Sequence, residues 1–127
     1  MIERIFPPGA PAPRAPYSPA VRAGDTIYVS GQVSVDPATG QFALSDVQAE
    51  TRQVLTNIKT LLEGCGATMS DVVRCGVYLT NVDDFQAMNA VYAEFFGDPK
   101  PARTTIIAGL PLKEAKVEID AIAYKPR

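Results

Sequence analysis

One arginine and one glutamate, each set in a run of strand-forming residues near the C-terminus, are the side chains best suited to chemistry. Arg103 lies in Pro101-Ala102-Arg103-Thr104-Thr105-Ile106, and Glu118 in Lys116-Val117-Glu118-Ile119-Asp120. A guanidinium grips a carboxylate through two parallel hydrogen bonds, and a glutamate can hold a water or move a proton. Pro101 cannot continue a helix, so an extended segment is expected to begin there. Thr104 through Ile107 are all β-branched, which favours a strand. In the second run Val117, Ile119, Ala121 and Ala123 alternate with Glu118, Asp120, Ile122 and Tyr124, placing Glu118 on the face opposite Val117 and Ile119. Pairing of the two strands would bring Arg103 and Glu118 towards one cleft. Spacing alone leaves a second reading open, a structural ion pair across paired strands.

Other chemistries lack their residues. The chain of 127 residues has no histidine, which removes Ser-His and Cys-His nucleophilic pairs and any imidazole metal site. Its two cysteines, Cys65 and Cys75, fit neither a CxxC redox motif nor a zinc knuckle and are expected to be buried, inert thiols. There is no P-loop, no GxGxxG and no acidic cluster suited to calcium or magnesium. No metal and no organic cofactor are expected, so chemistry must use arginine, carboxylate, hydroxyl, amide, backbone and water. A formal net charge of -2 and a pI of about 5.0, without a basic block, argue against nucleic acid or an anionic membrane as partner. No run approaches the roughly 20 apolar residues that span a bilayer. Glu3, Arg4 and the prolines that follow do not make a signal-peptide core. A soluble cytoplasmic protein is the expectation.

The elements that must position these residues are legible in outline. One domain, residues 1–127, is expected from length. Met1 to Phe6 reads as a short strand, and residues 7 to 19 hold six prolines, which suits an extended connector. Ala20 to Ala23 and Thr26 to Val35 read as a hairpin around Gly24-Asp25, with Ile27, Val29, Val33 and Val35 on one face. Asp36 to Gly40 is a turn. Ser45-Asp46-Val47-Gln48 has the form of a capping box on Ser45. Val47, Thr51, Val54, Ile58, Leu61 and Leu62 then recur at helical spacing as far as Gly64 or Gly66. Val72 to Thr80 reads as a strand with Val73, Cys75, Val77 and Leu79 on one side. Asp83 or Asp84 opens a second helix with the stripe Phe85, Met88, Tyr92 and Phe95 or Phe96. The order is β-β-β-α-β-α-β-β, an α+β domain whose two helices cover one side of a mixed sheet.

Four segments, in order, resemble the RidA/YjgF family of reactive-intermediate (imine) deaminases. They are Pro16-Tyr17-Ser18, Gly24-Asp25-Thr26-Ile27-Tyr28-Val29-Ser30-Gly31-Gln32, Met88 through Phe96, and Pro101 through Ile106 followed by Val117-Glu118-Ile119. The resemblance runs over nearly the whole chain. It implies a fold like that of the trimeric chorismate mutases, and a homotrimer with ligand clefts between subunits. It also implies hydrolysis of small 2-imino or 2-enamino acids to 2-keto acids and ammonia, without a cofactor.

Residue by residue, the resemblance casts Arg103 as the clamp on the substrate carboxylate and Glu118 as the holder of the attacking water. Tyr17, Ser30 and Asn89 would line the cleft, and Thr105 would offer its backbone to the ligand. Each of these has a structural alternative. Tyr17 can pack beside prolines, Ser30 can be a small residue in a crowded strand, and Asn89 can bond backbone. There are departures too. Many of the well-known deaminases carry a cysteine where this chain has Thr105, the usual glycine before Pro-Tyr is Ala15, and Pro111-Leu112 stands where Leu-Pro is commoner. Two rival functions share the resemblance: a non-catalytic small-carboxylate-binding regulator, and a translation inhibitor or ribonuclease.

Overall fold

The computed structural model describes residues 1–127. Six strands form one mixed sheet: β1 (Ile2–Ile5), β2 (Ala20–Ala23), β3 (Thr26–Gln32), β4 (Val72–Leu79), β5 (Ala102–Ile107) and β6 (Val117–Tyr124). Their spatial order is β1-β2-β3-β6-β4-β5. All neighbours are antiparallel except β4 and β5, which run parallel. A parallel pair needs a crossover, supplied here by helix α2 (Phe85–Phe95). Helix α1 (Val47–Gly64) packs beside α2, and both lie over the same side of the sheet. No helix is long and apolar enough to cross a membrane.

The core lies between helices and sheet. Val54, Leu55, Ile58, Leu61 and Leu62 of α1 are fully buried against Ile27 of β3, Val77 and Leu79 of β4, and Val117 and Ile119 of β6. This is the expected helical stripe meeting the expected strand alternation, and apolar burial of this kind is the main favourable term in folding. The opposite face of the sheet is uncovered. Glu118, Asp120, Tyr78 and the exposed Tyr28 and Ile106 stand on it.

Four details differ from the sequence reading. β5 does not pair with β6, because β4 lies between them. A register shift in β3 between Val29 and Gln32 ends the simple alternation, so Gln32 turns inward and β3 stops before Val33 and Val35. A similar shift between Val72 and Arg74 leaves Val73 half exposed rather than in the buried row with Cys75, Val77 and Leu79. The N-cap of α1 is Asp46, not Ser45: the Ala49 N–H donates to Asp46 Oδ1 at 2.8 Å. Ser45 instead donates its N–H to Glu50.

Glu50 is the one fully buried carboxylate. It accepts the N–H of Ser45 at 3.1 Å and of Lys116 at 2.9 Å, with the Lys116 ammonium 3.6 Å away. Its burial is sustained because its lone pairs are met and its charge is opposed. It ties the start of α1 to the start of β6, two residues from Glu118.

Candidate functional site

The sequence-expected site residues fall into two groups. The first surrounds a cavity of about 390 Å³ beside the uncovered face, whose lining includes Arg14, Tyr17, Ser30, Phe42 and Glu118. The proline-rich segment forms one wall and is stapled to β3. Ser30 donates its hydroxyl to Ser18 O at 2.6 Å and its N–H to Pro19 O at 3.0 Å. Ser30 is therefore the tether that holds the Tyr17 loop over the cavity. Tyr17, 46% exposed, is open to the cavity rather than packed away beside the prolines.

Glu118 enters from β6 against Gly31. A Cβ at Gly31 would collide with Glu118 Oε2 and come within 3.0 Å of Cδ. The missing side chain at Gly31 is what lets the carboxylate lie over the β3 backbone. Glu118 takes part in none of the salt bridges of the chain. Burial, and after it the negative charge of Asp120, raises its pKa above the ordinary glutamate value of 4.5. Asp120 itself is locked in place, accepting the Gly76 N–H at 2.8 Å and the Tyr78 hydroxyl at 2.8 Å.

The second group sits at the β5 edge, on the helix side. Arg103 is in register with the fully buried Cys75 of β4, so its side chain rises towards α2. There its guanidinium lies 4.7 Å from the ring centroid of Tyr92 and 5.7 Å from that of Phe85. Phe85, Asn89 and Tyr92 are spaced i, i+4, i+7 and share one face of α2. Thr105, two residues beyond Arg103, shares its face of β5. Asn89 Oδ1, Thr105 Oγ1 and Tyr92 OH are buried without a hydrogen-bond partner. Burial, and next to it Cys75, pushes the Tyr92 hydroxyl pKa upward, which keeps it a neutral donor. Arg103 also has no salt-bridge partner. A guanidinium seated on two rings, unpaired, beside three unmet polar atoms, suits a small carboxylate.

The structure thus brings Tyr17, Ser30 and Glu118 together, and separately Arg103, Thr105 and Asn89. Within one chain the two groups are on opposite faces of the sheet, contrary to the single cleft that direct strand pairing would have made. Sequence reading missed Gly31 as the clearance for Glu118, the Asp120–Tyr78 lock, and the aromatic seat of Arg103. For the last, the available signal was the i, i+4, i+7 spacing that places Asn89 on one helix face with Phe85 and Tyr92, two members of the expected apolar stripe.

A family model described as endoribonuclease L-PSP matches residues 8–125. A RutC family protein of Pyrococcus horikoshii is 48% identical over 98% of this chain and 99% of its own length. Proteins named 2-iminobutanoate/2-iminopropanoate deaminase from Dermatophagoides farinae and Capra hircus are 44% and 45% identical, across 93% and 98% of this chain and 92% of each relative. The crystal structure of RidA from a Psychrobacter species superposes with a TM-score of 0.91 at 37% identity, covering 96% of this chain and 98% of that one. TdcF of E. coli, solved with bound serine, gives 0.90 at 31% identity over 97% and 98%. With the family model spanning nearly its whole length and relatives this similar, the chain belongs to the RidA/YjgF family and has its chorismate-mutase-like fold.

Proposed function

We propose that this protein hydrolyses reactive 2-imino or 2-enamino acids to 2-keto acids and ammonia, in clefts formed between copies of the chain. The observation that carries the reading is the Arg103 guanidinium on the Tyr92 and Phe85 rings, paired with no carboxylate of its own chain. Arg103 takes the substrate carboxylate in a two-pronged grip, which orients the imine carbon. Asn89 and Thr105 offer polar atoms at the same seat.

Glu118 supplies the other half. Its raised pKa makes it a better proton acceptor than an ordinary glutamate. Water adds to the imine carbon, its proton passes to the Glu118 carboxylate, and the C=N electron pair goes to nitrogen. The proton returns to that nitrogen, giving the carbinolamine. Glu118 then takes the proton of its hydroxyl and passes it to the amine, so that the C–N bond breaks and a C=O bond forms as ammonia leaves. Tyr17 and Ser30 line this half of the cleft.

Because Arg103 and Glu118 face opposite sides of one sheet, they reach one substrate only when different copies supply them. The uncovered sheet face, with Tyr28 and Ile106 exposed, supports burial against other copies. A closed homotrimer, repeating one head-to-tail contact three times, satisfies both requirements. The names of the mite and goat relatives support the imine chemistry.

The test is a coupled assay in which an amino-acid oxidase makes 2-iminopropanoate or 2-iminobutanoate in situ and its decay is followed with and without this protein. Faster decay is expected. Carboxylate binding without any acceleration would make the protein a regulator instead.

A further inference from the structure

The cavity that holds Glu118 contains one arginine, and the imine mechanism does not use it. Arg14, from the proline-rich segment, lines it together with Phe42 and Tyr17. Its guanidinium lies 4.8 Å from the Phe42 ring centroid. Beneath it, the turn that carries Phe42 is tightly bonded: the Gly40 N–H donates to Asp36 O at 2.8 Å, the Asp36 N–H to Gln41 O at 2.8 Å, and Val35 bridges Phe42. Arg14 Nη2 lies beside Gly40, whose positive φ of 71° shapes the turn, 3.6 Å from where a Cβ would stand. No acidic side chain pairs with Arg14. The seat repeats the logic of Arg103, a guanidinium held on an aromatic face with its donors unspent.

Charge bookkeeping sharpens the point. Apart from Arg14, Glu118 is the one charged side chain on the cavity wall. A substrate bearing a second carboxylate would meet repulsion from Glu118 there, and only a cation at the far wall offsets it. The cavity also has room to spare for a substrate of three or four carbons.

We propose that Arg14 is a specificity-determining residue that binds a second, side-chain carboxylate, so that the favoured substrates are 2-imino dicarboxylic acids. This rests on the imine-hydrolysis reading above, with the α-carboxylate on Arg103 and the side-chain carboxylate on Arg14.

The test has two arms on the full-length protein. In the binding arm, calorimetry compares the stable product-like keto acids 2-oxoglutarate and 2-oxobutanoate. A preference for the dicarboxylate of about tenfold is expected, the scale of one charge-assisted contact at a partly exposed site. Arg14→Ala should bring the ratio close to one, and Arg14→Lys should keep part of it by retaining the charge. In the kinetic arm, imines generated in situ from glutamate and from 2-aminobutanoate should show the same ranking in kcat/KM and the same response to the variants. A ratio near one in the native protein, or a preference that survives Arg14→Ala, overturns the proposal. Failure of the imine-hydrolysis reading looks different: no imine is turned over in the kinetic arm, while the binding arm still decides the role of Arg14.

Discussion

Arg103 and Glu118 point to opposite faces of the same sheet. Arg103, on the edge strand β5, is in register with buried Cys75 and reaches the rings of α2. Glu118 is opposite Tyr78 on the uncovered face. β4 lies between their strands, so within one chain the two side chains leave the sheet on opposite sides. Any mechanism that uses both must draw them from two copies of the chain.

The carboxylate seat is tested by Arg103→Lys. Lysine keeps the charge but loses the planar fork and its fit over Tyr92 and Phe85. Imine hydrolysis should fall about a hundredfold, the scale expected when a substrate is held but misplaced. Circular dichroism should report an unchanged fold. Thr105→Ala should be milder, since it removes one hydroxyl while the Arg103 guanidinium and the β5 backbone stay in place. Equal turnover by native protein and Arg103→Lys would show that the carboxylate binds elsewhere.

The pH profile reads Glu118 directly. Only the ionised carboxylate accepts a proton, so kcat/KM should fall on the acid side, with a midpoint above 4.5 because burial and Asp120 raise the pKa. Glu118→Gln should abolish that limb and slow turnover by roughly 10²–10⁴ while leaving carboxylate binding intact. Asp120→Asn should move the limb to lower pH. The same raised pKa has a stability consequence. Protonated Glu118 favours the folded chain, an advantage present below the ordinary value of 4.5 and lost as pH rises through the folded value. An acid limb that persists unchanged in Glu118→Gln would assign it to another group.

Gly31 should tolerate nothing larger. In Gly31→Ala the new methyl meets the Glu118 carboxylate and must displace it. Turnover should fall nearly as far as in Glu118→Gln, with carboxylate binding at Arg103 retained. A crystal structure of the variant should show Glu118 in a new rotamer. Full activity in Gly31→Ala would mean that the position of Glu118 over β3 is immaterial.

Much of this architecture was legible in the sequence, because burial imposes periodicity. The α1 stripe from Val47 to Leu62 and the β6 alternation around Glu118 follow from 3.6- and 2-residue repeats, and both are as expected. Val33 and Val73 were misplaced because bulges in β3 and β4 break the period, and no side chain announces a bulge. The cap moved from Ser45 to Asp46 because the buried Glu50 carboxylate takes the Ser45 N–H, a contact made in the fold and invisible in spacing. The partner of β5 was likewise not encoded locally. A strand after a helix can return beside its predecessor, and β5 returns parallel to β4, which set the face of Arg103.

Glu50 gives a stability prediction independent of the site. Glu50→Ala strands the part-buried N–H groups of Ser45 and Lys116, at a cost on the order of 1–3 kcal/mol. Urea denaturation should show the loss in the midpoint. Glu50→Gln, which retains an acceptor, should lose less. A change within 0.5 kcal/mol, the usual range of about that size for surface substitutions, would contradict the tethering role.

The central claim, that one substrate is shared by Arg103 of one copy and Glu118 of another, is tested most directly by mixing two inactive variants. Arg103→Lys and Glu118→Gln chains, co-expressed in equal amounts with different tags and purified as mixed oligomers, should recover activity. In a head-to-tail trimer that contains both variants, about one cleft in three receives both native residues. Recovery to roughly that fraction of native turnover is the predicted result. Mixed oligomers as inactive as either parent would contradict the account, for they would place Arg103 and Glu118 of the same chain in the same site.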